Sequence, residues 1–250
     1  MDKKIEEENV KKITHTCLSS PHPNPLHRRE NRKFAFTLAE LLITIAVVGV
    51  VAVLSLPNLF NAYRAGVMKT RFNKFNSSLS QVTRMMTKDD IIVAVNSFNV
   101  SGNKKMWQVM LPYFKNSVDC GIYNKSTKKG CSKSSKKYKT YNGNNMNYGN
   151  FDDGEIYLSE GISIYFENQY AINKIWLSVD LNGFNTPPNR WGYDLFTFQL
   201  VGNDFRPMGE AGTSYSSQTY CSETSTDSLN GVACAALAKS DPNYFKSLKY

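Results

Sequence analysis

Histidine is nearly missing. The 250-residue chain holds three, His15, His22 and His27, and all of them precede Phe36. From Phe36 onward there is therefore no Ser/His/Asp or Cys/His nucleophile pair, no His-ligated zinc and no imidazole acid–base chemistry. The five cysteines include no C-x-x-C spacing, which sets aside a four-thiolate zinc site. An EF-hand loop is absent as well. Carboxylates remain: Asp152, Asp153, Glu155 and Glu160 are the residue type a glycosidase pair needs. Grouped around Gly154, they read as a solvated turn, so the expectation is that the protein is not an enzyme.

Long apolar runs are scarce too, and the single example organises the chain. Residues 36–57 read FTLAELLITIAVVGVVAVLSLP, and the basic stretch HRRENRK lies just before them. Of the nineteen residues from Leu38 to Leu56, only Glu40, Thr44 and Ser55 carry polar side chains. As a helix they would extend roughly 28 Å at about 1.5 Å per residue, enough to cross a bilayer. The basic flank places the Phe36 end in the cytoplasm and residues 58–250 outside it. A carboxylate in such a helix costs a few kcal/mol unless it reaches the headgroups or meets a cation. Glu40 is that carboxylate, and a cut just before Phe36 would create a cationic chain end for it.

The length allows one membrane helix and one ordinary globular domain. Thirty Lys/Arg against 21 Asp/Glu give a net charge of +9. Without residues 1–35, 22 basic and 16 acidic side chains leave +6, a balance that favours anionic surfaces. Cys17 lies upstream of the apolar run, and Cys120, Cys131, Cys221 and Cys234 lie beyond it. Four thiols outside the cytoplasm suggest two disulfides, for which three pairings exist. The local pairs, Cys120 with Cys131 and Cys221 with Cys234, are favoured because each closes a short polar loop. Closing such a loop stabilises by about 3 kcal/mol in the chain-entropy description.

The pattern Phe36-Thr37-Leu38-x-Glu40-Leu41-Leu42, with a basic leader, Gly49 in mid-run and Pro57 at its end, resembles the processing signal of type IV pilins and type II secretion pseudopilins. Ala35 stands where that family usually has Gly. The resemblance implies cleavage between Ala35 and Phe36 by a prepilin peptidase and methylation of the Phe36 amine. It also implies pairing of Glu40 with the Phe36 amine of a neighbouring subunit during filament assembly. The implied partners are the prepilin peptidase, copies of the chain or other pilins and pseudopilins, and an inner-membrane assembly platform. The implied fold is α+β and pilin-like: one long N-terminal helix, membrane-spanning in its first half, packed on a small antiparallel sheet. Residues 1–35 would then be a removed leader, 36–57 the transmembrane and filament-core helix, and 58–250 an extracytoplasmic domain.

Taken in order, residues 1–35 are polar, mixed in charge and Pro-containing, and form no packed element. After Pro57 an apolar stripe of Phe60, Tyr63, Val67, Phe72, Phe75, Leu79, Val82 and Met86 predicts that the helix continues to about Thr87. Pro57 and Gly66 are its weak points. Residues 89–115 read as mixed helix with Met106, Trp107, Met110, Leu111 and Phe114 on one face. Residues 115–150 are rich in Lys, Ser, Asn, Gly and Tyr and read as a loop. Lys125 to Lys139, interleaved with Tyr123, Tyr138 and Tyr141, has the chemistry to hold DNA or an anionic surface. A single-span anchored binding module for DNA or polysaccharide is therefore the second reading.

From Glu155 the signal changes to period two. Strands are expected over 156–158, 162–166, 171–181 and 195–201, with Asn182-Gly183 as a hairpin turn. The segment SVDLNGFNTPPNRWGYDLFTF, residues 178–198, resembles a stretch of pseudopilin-like proteins. By that resemblance Asp180, Asn182 and Asp194 offer oxygens to calcium. The Ser- and Thr-rich tail carries a short helix near 232–238, and the resemblance has the last Cys pair border a loop that faces partners.

Overall fold

The computed structural model describes residues 36–91, 106–122, 126–133, 137–169 and 174–250. Ala35, Tyr123 and Lys125 fall outside the described residues. The chain divides into two units, residues 1–49 and 50–250. In the first, the described residues open helix α1, Leu38–Lys88. Thr37 starts it with a capping box: the Thr37 amide and hydroxyl donate to Glu40 Oε2 at 2.8 and 2.9 Å, and the Glu40 amide donates to Thr37 Oγ1 at 3.2 Å. Each end thus satisfies an orphan donor of the other.

In the second unit α1 runs through Pro57 without ending. It stops at Lys88, where Asp90 takes a left-handed φ of 54° and the Ile91 amide reaches back to Met86 O at 3.0 Å. That is a Schellman closure. The buried residues of α1 are Ala65, Met68, Phe72, Phe75, Leu79, Val82, Thr83 and Met86; apart from the adjacent Val82 and Thr83 they follow in steps of three and four that keep one face on the sheet. The stripe begins later than its spacing predicts: Phe60 and Tyr63 are 58 % and 70 % exposed. Ala65 and Met68 take the first core positions instead.

Six strands form one antiparallel meander in chain order: β1 Ser117–Gly121, β2 Gly154–Leu158, β3 Ile162–Gln169, β4 Lys174–Asp180, β5 Leu195–Val201 and β6 Asp204–Pro207. The expected α+β arrangement of a long N-terminal helix and an antiparallel sheet is what the chain adopts, with β1 and β6 added as edges. β1 lies inside the stretch expected to be loop. Residues 106–115 hold helix α2, Met106–Met110, and a 3-10 turn, Leu111–Tyr113, and Met106, Trp107, Met110 and Phe114 are buried as their spacing suggests.

Alternation sends Ile156, Ile164, Phe166, Leu177, Val179, Phe196, Phe198 and Leu200 into one core with α1. Phe72 lies at its centre, with ring centroids 4.9 Å from Phe196, 6.1 Å from Phe198 and 5.9 Å from Phe245. The opposite face is buried too. Tyr165, Trp176 and Leu195 meet Tyr138, Met146, Phe151, Phe184, Trp191, Met208 and Val232 from the connecting segments.

Two expectations are corrected by the fold. First, Asn182-Gly183 is not a two-residue hairpin, because β4 ends at Asp180 and β5 begins at Leu195. Gly183, at φ 79°, is needed because a Cβ there would lie 2.6 Å from the Gly161 carbonyl. Second, Tyr138 and Tyr141 are core residues, so the basic segment does not present them for base stacking. The helix expected near 232–238 is present, and others flank it. Helices α3 Ser217–Tyr220, α4 Cys234–Ser240 and α5 Tyr244–Ser247 follow one another, and Tyr244, Phe245 and Leu248 join the α1 core.

Candidate functional site

Three places carry the residues singled out from the sequence. The first is the start of α1. Phe36 is 85 % exposed, and the apolar side chains from Leu38 to Leu56 are exposed apart from the half-buried Ala52. By length and composition this helix can cross a membrane. The capping box supplies Glu40 with partners inside its own helix, at the residue next to Phe36. Thr37-x-x-Glu40 is the sequence signal for it.

The second place is the cysteine pairs. Cys120 bonds to Cys131 and Cys221 to Cys234, with Cα separations of 5.6 and 5.0 Å, within the usual reach of a disulfide. The first ties β1 to residues 126–133, and the second ties the end of α3 to the start of α4. Among the described lysines of the basic segment, Lys128 donates to Asp119 O, Lys139 to Asn145 Oδ1, and Lys137 lies 4.7 Å above the Phe184 ring. Lys129 and Lys133 are exposed.

The third place is the polar layer beneath the second core. Asp180, fully buried at the end of β4, accepts from the Tyr138 hydroxyl at 2.7 Å and from the Asn182 and Gly183 amides at 3.1 and 2.9 Å. Asp194, equally buried, accepts from the Asn189 and Arg190 amides at 2.8 and 2.7 Å. Asn182 turns its amide N–H toward the carbonyls of Thr186 and Pro187. The two carboxylates thus anchor the connection between β4 and β5 through N–H and O–H donors, and the Asn182 amide N–H groups gather those carbonyls. The side-chain oxygens of Asn182 and Asn189 are buried beside them with no hydrogen-bond partner. Burial, then the neighbouring Asp194 charge, push the Asp180 carboxyl well above its usual range. Burial raises Asp194 to about 6 against the pull of its amide donors.

Glu155 is also fully buried, which corrects its reading as part of a solvated turn. Both its oxygens accept from the Ser132 amide, at 2.9 and 3.2 Å, and Oε1 lies 2.9 Å from Ser132 Oγ. Burial raises its carboxyl to about 7 although those Ser132 bonds oppose the rise. Of its sequence neighbours, Asp152 and Glu160 are exposed and Asp153 is half-buried. Asp152 and Asp153 meet a residue the sequence reading missed, Glu167 of β3, and one oxygen of each lies within 4.8 Å of the others. Burial, with the Asp153 and Asp152 charges, raises Glu167 to about 9. Glu160 pairs instead with Lys74 of α1 at 2.6 Å, in the open.

No family model matches the chain, and no curated protein or solved structure matches it either.

Proposed function

We propose that the chain is a structural subunit, a pilin or pseudopilin, of a type IV pilus or type II secretion-type filament. On this reading a prepilin peptidase cuts between Ala35 and Phe36 and the Phe36 amine is methylated. The chain waits as a single-pass protein of the bacterial inner membrane, its residues 58–250 extracytoplasmic. It then joins copies of itself or other pilins through α1, on an inner-membrane assembly platform. The observation that carries the reading is the start of α1: the helix is capped by Thr37 and Glu40 one residue after the proposed cut, and an exposed apolar surface follows directly. Such a surface must be covered by lipid or by other helices, and exchanging one for the other costs little. Phe60 and Tyr63, exposed just past Pro57, suit the aromatic belt where a span leaves the bilayer.

Intact mass and N-terminal fragmentation of the protein purified from a host with an active prepilin peptidase test this reading. The expected species starts at methylated Phe36. Glu40→Ala is expected to be cleaved normally and to enter filaments poorly. A retained leader would refute the reading and favour the anchored binding module, for which exposed Lys129 and Lys133 are the available contacts.

A further inference from the structure

Five buried oxygens form an unbroken chain across the sheet. Glu155 Oε1 lies 2.9 Å from Ser132 Oγ, which lies 2.5 Å from Tyr165 Oη; Tyr165 Oη lies 2.8 Å from Tyr138 Oη, which lies 2.7 Å from Asp180 Oδ2. All five residues are at most 1 % exposed. β2, β3 and β4 each give one member, and the segments around Ser132 and Tyr138 give the other two.

The links can be counted against the protons. Each of the four contacts needs one proton between its two oxygens, and a hydroxyl carries a single proton to give. Ser132, Tyr165 and Tyr138 supply three. With both carboxylates ionised, Ser132 donates to Glu155 and Tyr138 to Asp180. Tyr165 then serves Ser132 or Tyr138 but not both, and lone pairs face each other across the other of these two contacts. A buried contact of that kind costs a full unsatisfied polar group or more. With both carboxyls protonated on the oxygens that face the row there is one proton too many, and two hydrogens collide; a second proton has its place off the row, on Glu155 Oε2. One extra proton satisfies every link, and it can sit at either end. If Glu155 holds it, every hydroxyl points toward Asp180; if Asp180 holds it, every hydroxyl points toward Glu155.

We infer that the chain from Glu155 to Asp180 is a buried proton-binding site that holds one proton shared between two carboxylates, so that the fold of residues 50–250 tightens when this proton is bound and loosens when it leaves. The surrounding charges agree with the assignment. Among the described residues the ion pairs are Lys74–Glu160 and Lys239–Glu210, and neither carboxylate of the row pairs with a cation among them. Beyond Asp180 the next titratable group is Asp194, a like charge, and Tyr250 faces Asp194 in turn. The described cations nearby have partners of their own. Arg71 donates to Leu181 O, Arg190 donates to Tyr141 O and stacks on Tyr193, and Lys137 lies over Phe184. The upward displacement of both end carboxyls by burial runs the same way.

The sign of the pH effect follows. Glu155 ionises near its ordinary value of 4.5 in the unfolded chain, and burial raises it to about 7 in the folded one. Its contribution to stability is therefore complete below the lower value and is lost as pH rises through the upper one. Over that interval one retained proton makes the folding constant fall about tenfold per pH unit.

The test uses the full chain in non-ionic detergent micelles, unfolded by urea between about pH 5 and about pH 8, where linkage counts protons from the slope. Glu155→Gln and Asp180→Asn each place a permanent N–H donor at one end of the chain while keeping an oxygen for the backbone amides. Either variant is expected to fold and to lose one proton from the wild-type slope; the slope that Asp194 and Glu167 contribute stays. The double variant Glu155→Gln/Asp180→Asn has donors at both ends, one proton too many. It is expected to be destabilised by at least tenfold in the folding constant beyond the product of the single effects, or not to fold at all. Single variants that keep the wild-type slope, or a double variant whose effect is the product of the singles, would overturn the assignment. Because the two singles act at opposite ends, failure of one to fold leaves the other to decide. The outcome is also separate from processing at Phe36, so this site and the filament reading stand or fall independently.

Discussion

Phe72 joins the long helix to the sheet, and its removal measures how much of the fold depends on that contact. The side chain has no exposure and touches three aromatic rings, Phe196 and Phe198 of β5 and Phe245 of α5. Truncating a buried Phe to Ala loses its transfer free energy and leaves a cavity, about 3–5 kcal/mol together. The Phe196 ring, edge-on at 66°, adds part of the further ~1 kcal/mol that an aromatic pair contributes. Rings on two elements from distant parts of the chain restrict collapse into the hole, so the upper half of the range applies. Phe72→Ala is expected to cost about 4 kcal/mol, close to a thousandfold in the folding constant. For a domain stable by about 5–15 kcal/mol that is a large share. Urea titration of the full chain in detergent, followed by emission of the buried Trp107, Trp176 and Trp191, reads it directly. The midpoint should fall with the slope against urea unchanged. Tyr63→Ala is the control: the same helix and a large ring, but 70 % exposed, with an expected effect within about 0.5 kcal/mol. A Phe72→Ala loss under about 1 kcal/mol, or a Tyr63→Ala loss as large, would refute this account of how α1 is held.

Two further expectations rest on the covalent and polar anchors. Replacing Cys221 and Cys234 together by Ser opens a loop of sequence separation 13 and should cost about 3 kcal/mol, read as a lower urea midpoint with residues 244–248 exchanging amide hydrogens faster. Because Asp180 and Asp194 are served by hydrogen-bond donors, millimolar calcium and excess chelator should leave the melting temperature unchanged. A calcium-dependent rise of several degrees would show a bound ion and a turned Asn182 amide.

The parts of this fold that could be read from the sequence are those whose side chains repeat with the period of their own backbone. The steps of three and four from Phe72 to Met86 and the alternation in Ile162 to Phe166 and Leu195 to Val201 state which face needs covering, and their extents were predicted within a few residues. The edge strands lack that signal. β1, Ser117–Gly121, is mostly half-buried, and β6, Asp204–Pro207, is four residues long and ends in Pro. Both exist because a neighbour offers a ladder, which composition does not record. Glu155 was hidden for a related reason. A carboxylate beside Gly154 and two aspartates resembles a wet turn until the register puts it opposite Tyr165 and Ser132 closes over it. Only in the folded chain do residues 23 and 25 positions apart from their partners, Ser132 to Glu155 and Glu155 to Asp180, become two ends of one hydrogen-bonded row. The Thr37-x-x-Glu40 box was legible and local, and it changes what Glu40 requires: its carboxylate has donors within the helix before any neighbouring subunit arrives.

The behaviour of α1 shows where periodicity stops being informative. Phe60, Tyr63 and Val67 continue the spacing of Phe72 and Phe75, yet Phe60 and Tyr63 are exposed, Val67 is half-buried, and full burial begins at Ala65 and Met68. An apolar stripe specifies that a face must be removed from water; it does not specify by what. From Ala65 to Met86 the chain supplies the cover itself, through β5 and the aromatic residues of its own tail. From Leu38 to Tyr63 the exposed apolar side chains find no cover among the described residues. A soluble monomer rarely exposes so large a continuous apolar surface, and on the proposed reading its cover comes from outside: lipid first, and in the filament the same helix of other subunits.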